Sequence, residues 1–222
     1  MSDFLTLVQD LHRESGASGV APTTVVGQTG ENKRLVNWIL SGDNYVQDLY
    51  TRWKFARFEY TGATVVSQRD VVKPTTIKDW DLDTFFIDGD PIEAVRYNSI
   101  KRETFDLTIE DTPWRIIIMP NGDLRFDPIP SAIHTITADA YLLPVLLVNN
   151  IDVSLIPEQY HQVIIGRALI LYANYENAPE QKDQGEEIYS EFLGRLESSQ
   201  LMADTDDVRY VGQGGFFEVI AE

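Results

Sequence analysis

The 222-residue chain contains no cysteine, which excludes disulfides and cysteine-based zinc sites and suits a reducing cytoplasm. Histidine is scarce as well. His12, His134 and His161 stand alone, with no H-x-x-x-H or H-E-x-x-H pair to hold a hydrolytic metal. Basic residues are outnumbered by acidic ones, 18 to 35, for a net charge of −17. Ordinary nucleic-acid binding needs lysine and arginine to displace counterions from phosphates, so that class is disfavoured. Long apolar runs are missing too. The longest, 163–172, is interrupted by Gly166 and Arg167 and is far too short to span a bilayer. The N-terminus, with Asp3 and Asp10, lacks the apolar core of a signal peptide. A soluble protein is expected.

Catalytic signatures are thin. Gly27-Gln28-Thr29-Gly30-Glu31-Asn32-Lys33 superficially resembles a phosphate loop, but the glycine spacing is wrong and Glu31 would repel a phosphate. Its expected role is to start a helix, with Thr29 as cap and Glu31 at the positive N-terminus. Asp79-Trp80-Asp81-Leu82-Asp83 alternates acids like a calcium loop, yet the sixth position is Thr84 rather than glycine. As an extended segment it would place the three aspartates on one face and Trp80 and Leu82 on the other. No G-x-S-x-G elbow occurs. Acids are abundant enough for a glycosidase pair, but none stands out as a buried acid. The sequence assigns no catalytic residue, no cofactor and no metal ligand.

What is present is a change of period along the chain. Residues 56–148 read as β. Ile133-His134-Thr135-Ile136-Thr137-Ala138-Asp139-Ala140-Tyr141 alternates with period two, and Asn121-Gly122 between apolar runs signals a hairpin. Segments 92–97 and 105–109 are further strand candidates. On either side the pattern is helical. After Pro157, placed as a first-turn proline, the chain is apolar almost all round to Tyr175, and such a helix must be enclosed by its own domain or by neighbouring copies. Asn177-Ala178-Pro179 breaks it before a second helix with Ile188, Phe192 and Leu196 at four-residue spacing. The rings Trp38, Tyr45, Tyr50, Trp53, Phe55, Phe58 and Tyr60 read as core or as subunit interface.

The expected fold is α+β: N- and C-terminal helices forming a bundle, an inserted antiparallel β domain and an extended C-terminal arm. The boundaries expected are 1–55, 56–148, 149–203 and 204–222. The arm joins an acidic stretch, Asp204-Thr205-Asp206-Asp207, to glycines and an apolar end with Phe216, Phe217, Val219 and Ile220. It reads either as an edge strand of its own sheet or as an arm that docks on another chain.

Two stretches carry a resemblance. Leu155-Ile156-Pro157-Glu158-Gln159-Tyr160-His161-Gln162-Val163-Ile164-Ile165-Gly166-Arg167-Ala168-Leu169, behind Leu142-Leu143-Pro144, resembles the C-terminal hairpin of head–tail adaptor proteins of tailed bacteriophages. The order Phe4-Leu5-Thr6-Leu7-Val8-Gln9-Asp10-Leu11, Thr23-Thr24-Val25-Val26-Gly27, Arg34-Leu35-Val36-Asn37-Trp38-Ile39 is similar to that family's N-terminal half. Gly42-Asp43-Asn44 departs from good helix formers, so a kink or an altered helix end is expected there. The resemblance implies a structural virion protein without enzymatic activity. It would form a ring, twelvefold by analogy with the portal, beneath the portal protein, extend the DNA channel and carry tail, nozzle or fibre proteins. DNA would pass the lumen without specific binding, and no membrane is involved. Phe216, Phe217, Val219 and Ile220 are the expected inter-chain docking residues. Asp183, Glu186, Glu187 and Glu191 are expected on a solvent or channel face, where acids repel phosphates. Head–tail interface in the virion and host cytoplasm during assembly are the implied locations. A cell-wall-degrading tail component and a tail or baseplate binding module are the alternatives.

Overall fold

The computed structural model describes residues 2–100 and 108–201. In chain order come α1 (Phe4–Ser15), α2 (Gly30–Leu49), β1 (Arg57–Ala63), β2 (Asp70–Val71), β3 (Ile77–Trp80), β4 (Phe86–Ile87), β5 (Asp90–Pro91) and β6 (Glu93–Arg96). There follow α3 (Tyr97–Ile100), β7 (Glu110–Asp111), β8 (Arg115–Ile118), β9 (Leu124–Asp127), β10 (Ile129–Pro130), β11 (Thr135–Leu142), α4 (Gln162–Glu176) and α5 (Pro179–Gln200). The class is α+β. Contacts separate a helical unit, built from residues up to Tyr50 and from Leu146 onward, from a β unit between Thr51 and Val145.

In the helical unit, α1 starts where the Asp3 carboxylate accepts from the Thr6 amide at 2.8 Å, and it stops at Gly16, whose φ is +65°. Its apolar face, Phe4, Leu7, Val8 and Leu11, is buried. The core of the unit is α4, in which Val163, Ile164, Ile165, Ala168, Leu169 and Tyr172 are all buried against α1, α2 and α5. Residues 163–173 are therefore enclosed by their own unit. One departure from the sequence reading concerns a helix start: Pro157 precedes a short turn at Glu158–Tyr160, and α4 begins only at Gln162. Helix α2 continues through Gly42 and ends at Leu49. Gly42 has a packing role: a Cβ there would stand 3.0 Å from the Ile164 carbonyl oxygen, so the missing side chain lets α4 come close.

In the β unit, β11 is the central strand. It pairs antiparallel with β1, β3 and β4, in register Tyr60↔Ala138 and Ile136↔Ile87. Its alternation holds, with Ile136, Ala138 and Ala140 buried among Trp80, Phe85, Ile116 and Phe126. The hairpin read at Asn121-Gly122 joins β8 to β9, with Gly122 at φ +88°. The unit is not purely antiparallel as expected. Strands β6 and β8 pair in parallel, as do β7 and β10. A parallel pair cannot be closed by a tight turn, so the chain leaves the sheet between them, which hydrophobic alternation does not reveal.

Candidate functional site

Asp183, Glu186, Glu187 and Glu191 all lie on the exposed side of α5, the side away from buried Gly185, Leu193 and Leu196. Glu186 faces Lys182 at 3.7 Å and Glu191 pairs with Arg195 at 2.5 Å. Asp183 and Glu187, one turn apart, have no cation beside them among the described residues. Close spacing of like charges costs little in water but leaves the face repulsive to anions. The helical unit as a whole has 20 acidic and 7 basic residues against 15 and 11 in the β unit, so most of the charge sits here. Phe216, Phe217, Val219 and Ile220 lie outside the described residues.

A second surface, chemically unlike the first, runs along α2 and α4. Trp38 stands edge-on to Tyr172 at 5.6 Å and beside Tyr175 at 5.8 Å. The Arg34 guanidinium covers the Tyr175 ring at 4.4 Å, and the Arg167 guanidinium covers the Tyr45 ring at 4.1 Å. Tyr45 and Tyr175 remain exposed. Stacked arginine and aromatic side chains of this kind are enriched where proteins meet. The spacing that builds this surface is plain in the sequence: 34, 38 and 45 on one helix, 167 and 175 on the other.

A third surface is aliphatic. Leu146, Val148 and Ile151 are 64%, 62% and 79% exposed, and Val153 is exposed beside them. They lie on an irregular segment pinned at a few points. The amides of Phe4 and Leu5 donate to the carbonyls of Asp152 and Asn150 at 2.8 and 3.1 Å. The Asn150 side chain accepts from the Val25 amide at 2.8 Å, which brings exposed Val26 into the same neighbourhood. Grouped exposed aliphatics mark an interaction site more often than isolated ones do.

Beneath these surfaces lies a buried polar cluster that sequence reasoning missed. Asp43 is 1% exposed; its carboxylate accepts from the Ser154 hydroxyl at 2.5 Å and from the Gln47 amide nitrogen at 2.7 Å. The Ser154 oxygen accepts in turn from the Ile156 amide, and the Ile156 carbonyl meets Nε2 of buried His161 at 2.8 Å. Burial pushes the Asp43 carboxyl up to about 6, against the opposing pull of the two hydrogen bonds. Burial likewise holds His161 below its ordinary value. The signal in the sequence was an acid on an apolar stripe, four residues after Ile39 and three before Val46.

In the β unit the acids serve the fold. Strand β3 ends at Trp80 and a turn follows at Leu82–Thr84, so 79–83 is not the single extended segment that would align its three aspartates. Asp79 pairs with Arg96 at 2.9 Å and Asp81 with Arg57 at 3.5 Å, while Asp83 is exposed. Arg57 also bonds Asp139, and burial together with Asp81 raises the Tyr141 phenol to about 12. No group of three potential metal ligands occurs among the described residues. Thr29 occupies the cap position of α2, but its side chain makes no capping bond.

Residues 2–213 match the model of one protein family, described as SU10 adaptor protein. No curated protein matches the chain.

Proposed function

We propose, because the chain belongs to the SU10 adaptor protein family of phage structural adaptors, that it assembles as a ring beneath the portal of the phage head. The ring is twelvefold to match the portal, extends the DNA channel and offers tail or nozzle proteins a platform. Family membership over residues 2–213 carries this reading. The surfaces support it: exposed aliphatics at Leu146, Val148 and Ile151 suit a subunit that works in an assembly. The acids Asp183, Glu186, Glu187 and Glu191 face the channel or the solvent around it, where they let a duplex slide without sticking. Phe216, Phe217, Val219 and Ile220 dock on a neighbouring chain. Asp43 has a raised pKa, but it is buried and its carboxylate is engaged by Ser154 and Gln47.

Light-scattering mass measurement on the chain, alone and with the portal ring of its phage, tests the proposal. A gain of one copy per portal subunit is expected. A portal ring whose mass does not change in the presence of excess chain overturns it.

A further inference from the structure

The groove between α2 and α4 holds two arginines that lie on tyrosine rings of the facing helix. The unit has nearly three acids to each base, and three of its bases are ion-paired: Arg13 bonds Asp10, Lys182 faces Glu186 and Arg195 bonds Glu191. Arg34 and Arg167 have no carboxylate within ion-pair distance among the described residues and lie on tyrosine rings instead. Trp38, Tyr45 and Tyr175 complete an aromatic trough with the two guanidiniums, flanked by Glu31 and Glu176, whose charges reach Tyr172. Such a trough suits a short anionic segment with an aromatic residue of its own.

The chain carries one. Asp204, Asp206 and Asp207 place three acids in four positions, followed by Val208, Arg209 and Tyr210. This stretch begins three residues past Leu201, and the 21 residues that follow Leu201 could extend over roughly 70 Å at about 3.3 Å per residue. We infer that the α2–α4 groove receives residues 204–210 of a neighbouring copy, with the aspartates on Arg34 and Arg167 and Tyr210 against the aromatic rings. The inference rests on the ring reading above. Arm and groove are different surfaces of one chain, so the contact is head to tail and propagates around a ring.

Charge exchange in the full chain, read by ring assembly on the portal, tests this. Arg34→Glu with Arg167→Glu is expected to weaken assembly by about tenfold or more, as is Asp204→Lys with Asp206→Lys and Asp207→Lys. Both sets combined in one chain should restore assembly to within about threefold of wild type. Unchanged assembly of either set, or no recovery in the combination, overturns the inference while leaving the ring intact. Failure of the wild-type chain to assemble on the portal removes the ring reading and this inference together. Because the chain lacks cysteine, Tyr45→Cys copies mixed with Tyr210→Cys copies give a second readout that needs no charge reversal. A short bis-maleimide should link two chains on the portal. Linkage confined within one chain, in a variant carrying both cysteines, shows the arm in its own groove and overturns the proposal.

Discussion

Replacing Asp43 by asparagine removes a charge from the middle of the helical unit and leaves its shape nearly unchanged. The asparagine oxygen still accepts from Ser154, and a half-turn of the Gln47 amide lets its oxygen face the new NH2 group. The energetic consequence follows from the raised pKa, about 6 against an ordinary 3.8. A carboxyl raised in the folded state binds its proton more tightly folded than unfolded. Folding is therefore best supported below pH 4, and that support is lost as pH rises through the window from 4 to 6. About two pH units at 1.36 kcal/mol each amount to roughly 3 kcal/mol of destabilisation at neutral pH. The asparagine variant escapes it. Urea unfolding followed by the helical circular dichroism signal should give nearly equal stabilities for the two proteins at pH 4. By pH 7 the variant should be the more stable, by an amount on the order of 3 kcal/mol. His161, whose pKa burial lowers, is present in both proteins and its shift does not involve Asp43, so its contribution cancels from the difference. A wild-type-minus-variant difference that stays flat between pH 4 and 7 would refute the account of Asp43 as a buried acid. Asp43→Ala separates charge from packing: it strands Ser154 and Gln47 and should cost about 2–4 kcal/mol at pH 4, where the charge no longer matters.

Two further substitutions test the packing arguments. At Gly185 a Cβ would lie 3.0 Å from the Ile170 amide nitrogen and 3.1 Å from the Gly166 carbonyl oxygen, so Gly185→Ala should force α4 and α5 apart and lower stability by about 1–3 kcal/mol, outweighing its better helix propensity. Gly194, on the same helix with nothing within 4 Å, should instead gain about 0.5–1 kcal/mol as alanine; thermal melts that shift both variants the same way contradict the assigned contact. Asp3→Ala removes the cap of α1 and should cost about 1 kcal/mol in urea titrations, with Asp3→Asn recovering most of it.

How much of this was legible in the sequence depended on whether a residue's role is local. The period-two strand β11, the hairpin at Asn121-Gly122 and the break at Asn177 were readable because each is decided by neighbours within a few positions. The roles of Gly42 and Asp43 were not. Read locally they weaken a helix; in the fold Gly42 admits the backbone of α4, and Asp43 binds Ser154, 111 residues away. The parallel pairing of β6 with β8 was hidden for the same reason, since register between distant strands leaves no local trace.

The same distinction explains why the family was recognisable when no chemistry was. The family is one of phage structural adaptors, and the resemblance to it is carried by the packing residues of both chain ends rather than by a short cluster. Packing motifs identify a family while leaving its contact surfaces open, because exposed positions are constrained by partners rather than by the core. In this chain the surfaces differ in character: acids along α5, aliphatics at 146–153, and arginines on aromatic rings between α2 and α4. The third is the most telling. Among the described residues, Arg34 and Arg167 lie on tyrosine rings rather than in ion pairs, so what that surface meets is decided by the charge-exchange test of the proposed arm.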